Sequence, residues 1–143
     1  MRYLLDTNIV IILYEGRDDE IRDNVKAILM NSKNSFYMSA VSLIEISQLY
    51  RKKRFRNLDY SLIDTGDKLI AEILNELPIL QIIPYDERQG FITARLIFVP
   101  NHNDPTDLAI IAHAISEDMT LISSDDKFPY YQEQGAKIIH NKR

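Results

Sequence analysis

Four acidic residues stand where carboxylates are unusual. Asp6 directly follows the apolar run Tyr3–Leu5, and residues just past a parallel strand gather where such sheets bind ligands. It can equally cap the next helix by accepting a backbone N–H. Glu45 interrupts Leu43, Ile44 and Ile46 on a strongly apolar helix. A buried charge there costs several kcal/mol unless it is paired or bound to metal; the competing account is a capping box with Ser42. In Asp104-Pro105-Thr106-Asp107, Asp104 is a natural N-cap, Pro105 suits the first helical position and Asp107 favours the helix dipole. The apolar stretch Leu108–Ala112 follows at once, so Asp107 also stands at the mouth of a buried helix. Asp125, with Asp126 beside it, lies just beyond the apolar Leu121–Ser123; alone it reads as a solvated turn.

Together these positions say more than they do singly. Four carboxylates gathered in one place repel each other and take up protons unless a cation is present. Mg²⁺ or Mn²⁺, hard and oxygen-seeking, suits such a set. A divalent ion of this kind activates water and stabilises charge on a phosphoryl oxygen, so the chemistry indicated is phosphodiester hydrolysis.

Most other chemistries are excluded by what is missing. The chain has no cysteine, hence no disulfide framework, thiolate-held zinc or thiol nucleophile. Its four glycines, at 16, 66, 90 and 135, form neither a GxGxxG fingerprint nor a phosphate-cradling loop. His102, His113 and His140 never fall at ligand spacing on one helix. The opening MRYLLDTNIV is broken by Asp6 and does not read as a signal peptide. No apolar run approaches the ~20 residues that span a bilayer. A soluble, cytoplasmic protein with no membrane role is expected.

The elements that must position the acids alternate. Arg2–Leu5, Phe36–Met38, Ile79–Ile83, Leu121–Ser123 and Lys137–Ile139 read as short strands. Helices are predicted over Ile9–Tyr14, with Thr7 or Asn8 as cap, and from Asp18 or Asp19 through Leu29. A third runs from Ser39 as cap to the basic cluster, and a fourth carries Leu62 to Leu77. Two more start at Asp86 and near Asp107, and Asn141–Arg143 reads as a frayed tail. The fold class is therefore α/β, an α/β/α sandwich around a mainly parallel sheet. At 143 residues and without a linker, residues 1–143 are expected to form a single domain.

The formal net charge of −4 conceals a local excess of opposite sign, because Arg51, Lys52, Lys53, Arg54 and Arg56 lie within six residues. An acidic body argues against indiscriminate nucleic-acid binding, whereas a basic patch beside a metal-holding centre suits phosphate contacts. The same run can be a solvated helix end, where cations favour the dipole. Tyr50, Tyr60, Tyr130 and Tyr131 could stack bases, but core or dimer contacts explain them better.

Four segments then carry a family resemblance. Tyr3–Asn8, Ser39–Glu45, His102–Asp107 with Ile110–Ala114, and Thr120–Asp125 occur in the order seen in PIN-domain proteins. The chain resembles a VapC-type toxin, the ribonuclease half of a bacterial toxin–antitoxin pair. The resemblance implies an α/β/α sandwich and a Mg²⁺- or Mn²⁺-dependent endoribonuclease. It matches Asp6, Glu45, Asp107 and Asp125 to the catalytic, metal-holding acids, with Asp104, Thr7, Asn8 and Ser123 in support. It also implies an RNA substrate, a homodimer, and a cognate antitoxin whose C-terminal segment occupies the active-site groove. Leu108 and Thr106 depart from the Arg and Phe common in the family. Two rival readings are a PIN-like interaction module without catalysis and an aspartate phosphohydrolase or phospho-receiver domain. The phosphohydrolase pattern wants a second Asp two residues after the first, where this chain has Asn8.

Overall fold

A computed structural model describes all 143 residues. The elements run β1 (Arg2–Leu5), α1 (Thr7–Tyr14), α2 (Asp23–Met30), β2 (Ser35–Ser39), α3 (Ser42–Arg51), α4 (Gly66–Glu76), β3 (Leu80–Ile83), α5 (Glu87–Arg95), α6 (Pro105–Ser116), β4 (Thr120–Ser123) and β5 (Lys137–His140). Short 3₁₀ segments cover Asp18–Glu20 and Phe128–Gln134. The five strands form one sheet, ordered β3-β2-β1-β4-β5, and every pairing is parallel.

Side-chain alternation along the strands divides the interior into two layers. Tyr3 and Leu5 face one layer with Phe36, Met38 and Ile122, covered by Ile9 and Ile12 of α1, Ile46 of α3, and Leu69 and Ile73 of α4. Leu4 and Leu121 face the other, where Ala109 to Ala112 and Ala114 of α6 pack with Phe128 and Tyr131. Buried on both faces, the central strands are nearly continuously apolar, as parallel strands must be. No helix is long and apolar enough to cross a membrane.

Local chemistry explains where the elements begin. Asp86 caps α5 in a reciprocal box with Gln89, and Asp104 caps α6 ahead of Pro105. Both are caps that the sequence indicated. Five expectations need correction, and the first is that Asp6, not Thr7 or Asn8, caps α1. The fourth helix starts at Gly66, not Leu62, because Asp59 draws the preceding residues into a turn: its carboxylate accepts from Ser61 N–H, and its carbonyl from Leu62 and Ile63 N–H. The second begins at Asp23 after a 3₁₀ turn, since Asn141 takes up the Glu20 carbonyl and the Arg22 N–H. Ser39 ends β2 and accepts from Val41 N–H, so it does not cap α3. The tail is not frayed at Asn141, which is fully buried.

The strand order places a switch point between β1 and β4. From β1 the chain steps outward through β2 to β3, then returns to the other side of β1 for β4 and β5. In open parallel sheets the crevice at the carboxyl ends of such strands is where ligands bind. Asp6 follows β1 directly, and Asp125 lies just beyond β4.

Candidate functional site

Asp6 is the N-cap of α1 and a buried carboxylate at once. Its Oδ1 accepts from Thr7 N–H at 2.8 Å, while Oδ2 accepts from the Ser123 hydroxyl at 2.6 Å and the Asn8 amide at 3.2 Å. The cap and site readings of this residue are therefore compatible. Asn8 in turn accepts from Ser124 N–H at 3.2 Å, tying α1 to the end of β4. Ser123 Oγ accepts from Asp125 N–H at 3.0 Å, and Asp125 Oδ1 from Lys127 N–H at 2.8 Å, which fixes the loop that presents Asp125.

Glu45 makes no capping box, for α3 has no side-chain cap bond at its start. Its Oε1 instead accepts from the Thr7 hydroxyl at 2.6 Å, and Ser42 Oγ lies 2.8 Å from the same hydroxyl. Glu45 is thus joined to the first residue of α1 across 38 residues of sequence. Asp104 Oδ1 caps α6 through Thr106 N–H at 3.0 Å. Asp107, in the first turn of α6, is hydrogen-bonded to His102 Nε2 at 2.9 Å.

All five acids share one cavity of about 230 Å³, lined by Asp6, Thr7, Asn8, Glu45, Asp104, Asp107 and Asp125 with Ile11 and Leu49. Ligand oxygens of Glu45, Asp104 and Asp107 lie within 4.8 Å of one another. So do single ligand atoms of His102, Asp107 and Asp125. Asp104, given only a supporting place by the sequence, belongs to the cluster as fully as the others.

No Lys or Arg lines this cavity, and the carboxylates respond accordingly. Burial pushes the Asp6 carboxyl up to about 8; the Ser123 hydrogen bond opposes the rise, and the charges of Glu45 and Asp107 add to it. Asp107 is also pushed up to about 8, by burial and then by Asp104, Glu45 and Asp125. Burial raises Glu45 as well, against its Thr7 hydrogen bond and with Asp104 and Asp125 adding. A site whose acids hold protons this tightly lacks compensating positive charge. The oxygen-rich donor set fits a hard divalent cation.

The basic run divides. Arg51 ends α3, Lys52 caps it, and Lys53 turns back with φ 53° to lie 5.9 Å over the Tyr60 ring. Phe55 is buried and anchors the segment. Arg54 and Arg56 line a second depression of about 200 Å³ together with Asn8, Ile11, Leu49, Glu15 and Arg17. Because Asn8, Ile11 and Leu49 border both depressions, the two form one groove, acidic at one end and basic at the other. Of these residues, Arg17 carries no signal in the sequence. It stands alone after Gly16 and is already paired with Glu15 at 3.2 Å and Glu20 at 2.7 Å. Among the tyrosines, Tyr131 is fully buried and Tyr130 exposed, while Tyr50 and Tyr60 pack together at 5.3 Å. Sequence reasoning also missed His102 and Tyr131 as members of the site, although His102 lies only five residues before Asp107.

The family model described as PIN domain matches residues 3–134. No curated protein matches the chain. Among solved structures, DNA-bound VapBC from Salmonella typhimurium is similar with a TM-score of 0.67 and 18% identity, covering 99% of each chain. VapBC2 from Rickettsia felis, bound to a DNA fragment from its promoter, is similar with a TM-score of 0.65 and 20% identity over 98% of each chain. VapBC-1 from nontypeable Haemophilus influenzae has a TM-score of 0.64 and 20% identity over the full length of both chains. At these identities the likeness is one of fold.

Proposed function

Because this chain belongs to the PIN-domain family, we propose that it is a metal-dependent endoribonuclease, the toxin of a toxin–antitoxin pair acting in the cytoplasm. The observation that carries this reading is the convergence of Asp6, Glu45, Asp107 and Asp125, with Asp104, on one cavity at the switch point of the sheet. Its likeness in fold to three VapBC complexes supports an antitoxin partner, and the homodimer remains the family's expectation. An aspartate phosphohydrolase or receiver domain is a different family from the one matched.

Asp6, Glu45, Asp107 and Asp125 would hold Mg²⁺ or Mn²⁺. When bound, such an ion makes water a better nucleophile and carries the negative charge that develops on the phosphoryl oxygens. The remaining work belongs to the chain. Thr7 holds Glu45 Oε1, leaving Oε2 without a protein donor to orient the attacking water and accept its proton. Ser123, Asn8 and Thr7 N–H together fix both oxygens of Asp6, so the acid does not reorganise during turnover. The water oxygen bonds to phosphorus as the bond from phosphorus to the leaving sugar oxygen breaks, and that oxygen takes a proton from solvent.

Arg54 and Arg56 supply phosphate contacts along the basic end of the groove, with Arg51, Lys52 and Lys53 adding long-range attraction for RNA. Replacing Arg54 and Arg56 together by Gln is expected to weaken RNA binding and to flatten its salt dependence. The log–log slope should fall by about 0.7 for each phosphate that is no longer neutralised. Titration of labelled single-stranded RNA at several salt concentrations measures this. An unchanged slope assigns the pair to solvated surface.

The deciding experiment incubates purified, antitoxin-free protein with total cellular RNA and Mg²⁺ or Mn²⁺, beside EDTA and Asp6→Asn controls. Discrete fragments that disappear in both controls are expected, with circular dichroism of the variant unchanged. Cleavage by folded Asp6→Asn protein would refute the assignment of the site. Metal binding without any cleavage would favour a PIN-like interaction module.

A further inference from the structure

His102 lies close enough to the acids to be a metal ligand, since its ring nitrogen falls within 4.8 Å of ligand oxygens of Asp107 and Asp125. The hydrogen bonds on its far side indicate a different role. Tyr131, in the 3₁₀ segment Phe128–Gln134, is fully buried. Its hydroxyl oxygen has two partners, Val99 N–H at 3.1 Å and His102 Nδ1 at 2.5 Å. Val99 N–H can only donate. The hydroxyl hydrogen therefore has one acceptor within reach, which is Nδ1, and a buried hydroxyl without an acceptor is costly. A neutral imidazole that accepts at Nδ1 carries its hydrogen at Nε2. That nitrogen points at Asp107 Oδ2, 2.9 Å away.

The ring has little freedom to turn. Phe98 packs against it edge-on at 5.6 Å, Tyr131 edge-on at 5.4 Å and Phe128 at 6.4 Å. The chain of donors thus runs in one direction, from Val99 N–H to Tyr131 to His102 to Asp107.

We infer that His102 is a positioning residue for Asp107 and not itself a ligand. Its Nε2–H holds Oδ2, so that Oδ1, which has no protein partner, is the atom that Asp107 offers the cation. This inference rests on the metal-holding reading proposed above and deepens it, because it removes the one nitrogen from the donor set. What remains is all oxygen, the set that selects Mg²⁺ or Mn²⁺ over the softer Zn²⁺. Residues that orient a ligand from behind commonly contribute about 10–100-fold to metal affinity.

The test uses the full chain and two readouts. In the metal-free protein, ¹⁵N NMR of the imidazoles, with His102 assigned by its loss in His102→Gln, is expected to show Nε2 protonated and Nδ1 accepting. Tyr131→Phe, which keeps the packing and removes the donor, is expected to leave Nδ1 without its partner and to weaken that preference, which the Asp107 acceptor still favours. Calorimetry with Mn²⁺ is expected to show affinity lowered roughly 10–100-fold in His102→Ala. His102→Gln, whose amide can still donate to Oδ2, should recover most of it, a rescue that removal of a true ligand would not give. An Nδ1–H tautomer in the wild type overturns the inference, as does Mn²⁺ affinity unaltered in folded His102→Ala. Should His102→Ala fail to fold, failure of His102→Gln to bind Mn²⁺ overturns it equally. Absence of Mn²⁺ binding by the wild type would instead bring down the metal reading beneath it, an outcome that the metal-free NMR measurement keeps distinct.

Discussion

Titrated without divalent cations, the protein is expected to lose stability as pH rises from about 4 to about 8, and Mg²⁺ or Mn²⁺ is expected to restore it. The cause is the pair of buried carboxyls, Asp6 and Asp107, each pushed up to about 8 from an ordinary value of 3.8. In that window the folded chain keeps protons that the unfolded chain has already released. Stability is then complete below the unfolded carboxyl's value and falls as pH climbs towards the folded one. Each group contributes up to about 1.4 kcal/mol per pH unit in the steepest part of the window. The two groups repel each other, so their effects are not additive. A cation that takes the place of the protons reverses the trend: its binding tightens with pH and releases protons into solution. Thermal melts at about pH 5, 6.5 and 8, with EDTA and with Mn²⁺, measure both halves of this window. Asp6→Asn, which mimics the protonated acid, should melt with a flatter pH profile and gain less from Mn²⁺. A metal-free melting temperature that rises across the same range would contradict the buried-acid account.

Glu45→Gln separates binding from chemistry. The substitution removes the proton acceptor and one of the acids that hold the cation, while the amide oxygen can still accept from Thr7. Cleavage is expected to fall by about 10²–10³-fold, the usual scale for removing one preorganised electrostatic group at a reacting centre. Affinity for RNA without metal is expected to rise, because a negative charge that repels phosphate has gone from the acidic end of the groove. Single-turnover cleavage and metal-free RNA binding, measured on the same preparations, test the two effects. Retained cleavage would take Glu45 out of the mechanism, and unaltered metal-free binding would place RNA elsewhere than in this groove.

Local chemistry explains why so much of the site is legible in the chain. Asp6 betrays itself by following an apolar strand, Glu45 by standing among Leu43, Ile44 and Ile46, and Asp104 and Asp107 by their fixed places around Pro105. Cap and site signals coincide at Asp6 and Asp104, since a carboxylate that accepts a backbone N–H with one oxygen can still face the cavity. Expectation and structure part where a distant group overrides local preference. Asn141 reads as a polar tail residue, but bonds to Glu20, Arg22 and Ser124 bury it. At Leu62 and Ile63 a helical pattern of apolar residues gives way to the Asp59 turn.

Residue type and near-neighbour spacing are enough to specify the α/β class, to mark the acids as candidates and to show a basic run outside the acidic body. Which groups meet is settled only when the helices pack on the sheet. The positive φ at Lys53 diverts the basic run so that, of its five members, Arg54 and Arg56 reach the groove. The meeting of His102 with Tyr131 spans 29 residues, and that of Thr7 with Glu45 spans 38. Neither pair has a local signature, because each partner's own neighbours give no hint of the other. The direction of each hydrogen bond then follows from how many donors and acceptors the packing leaves within reach.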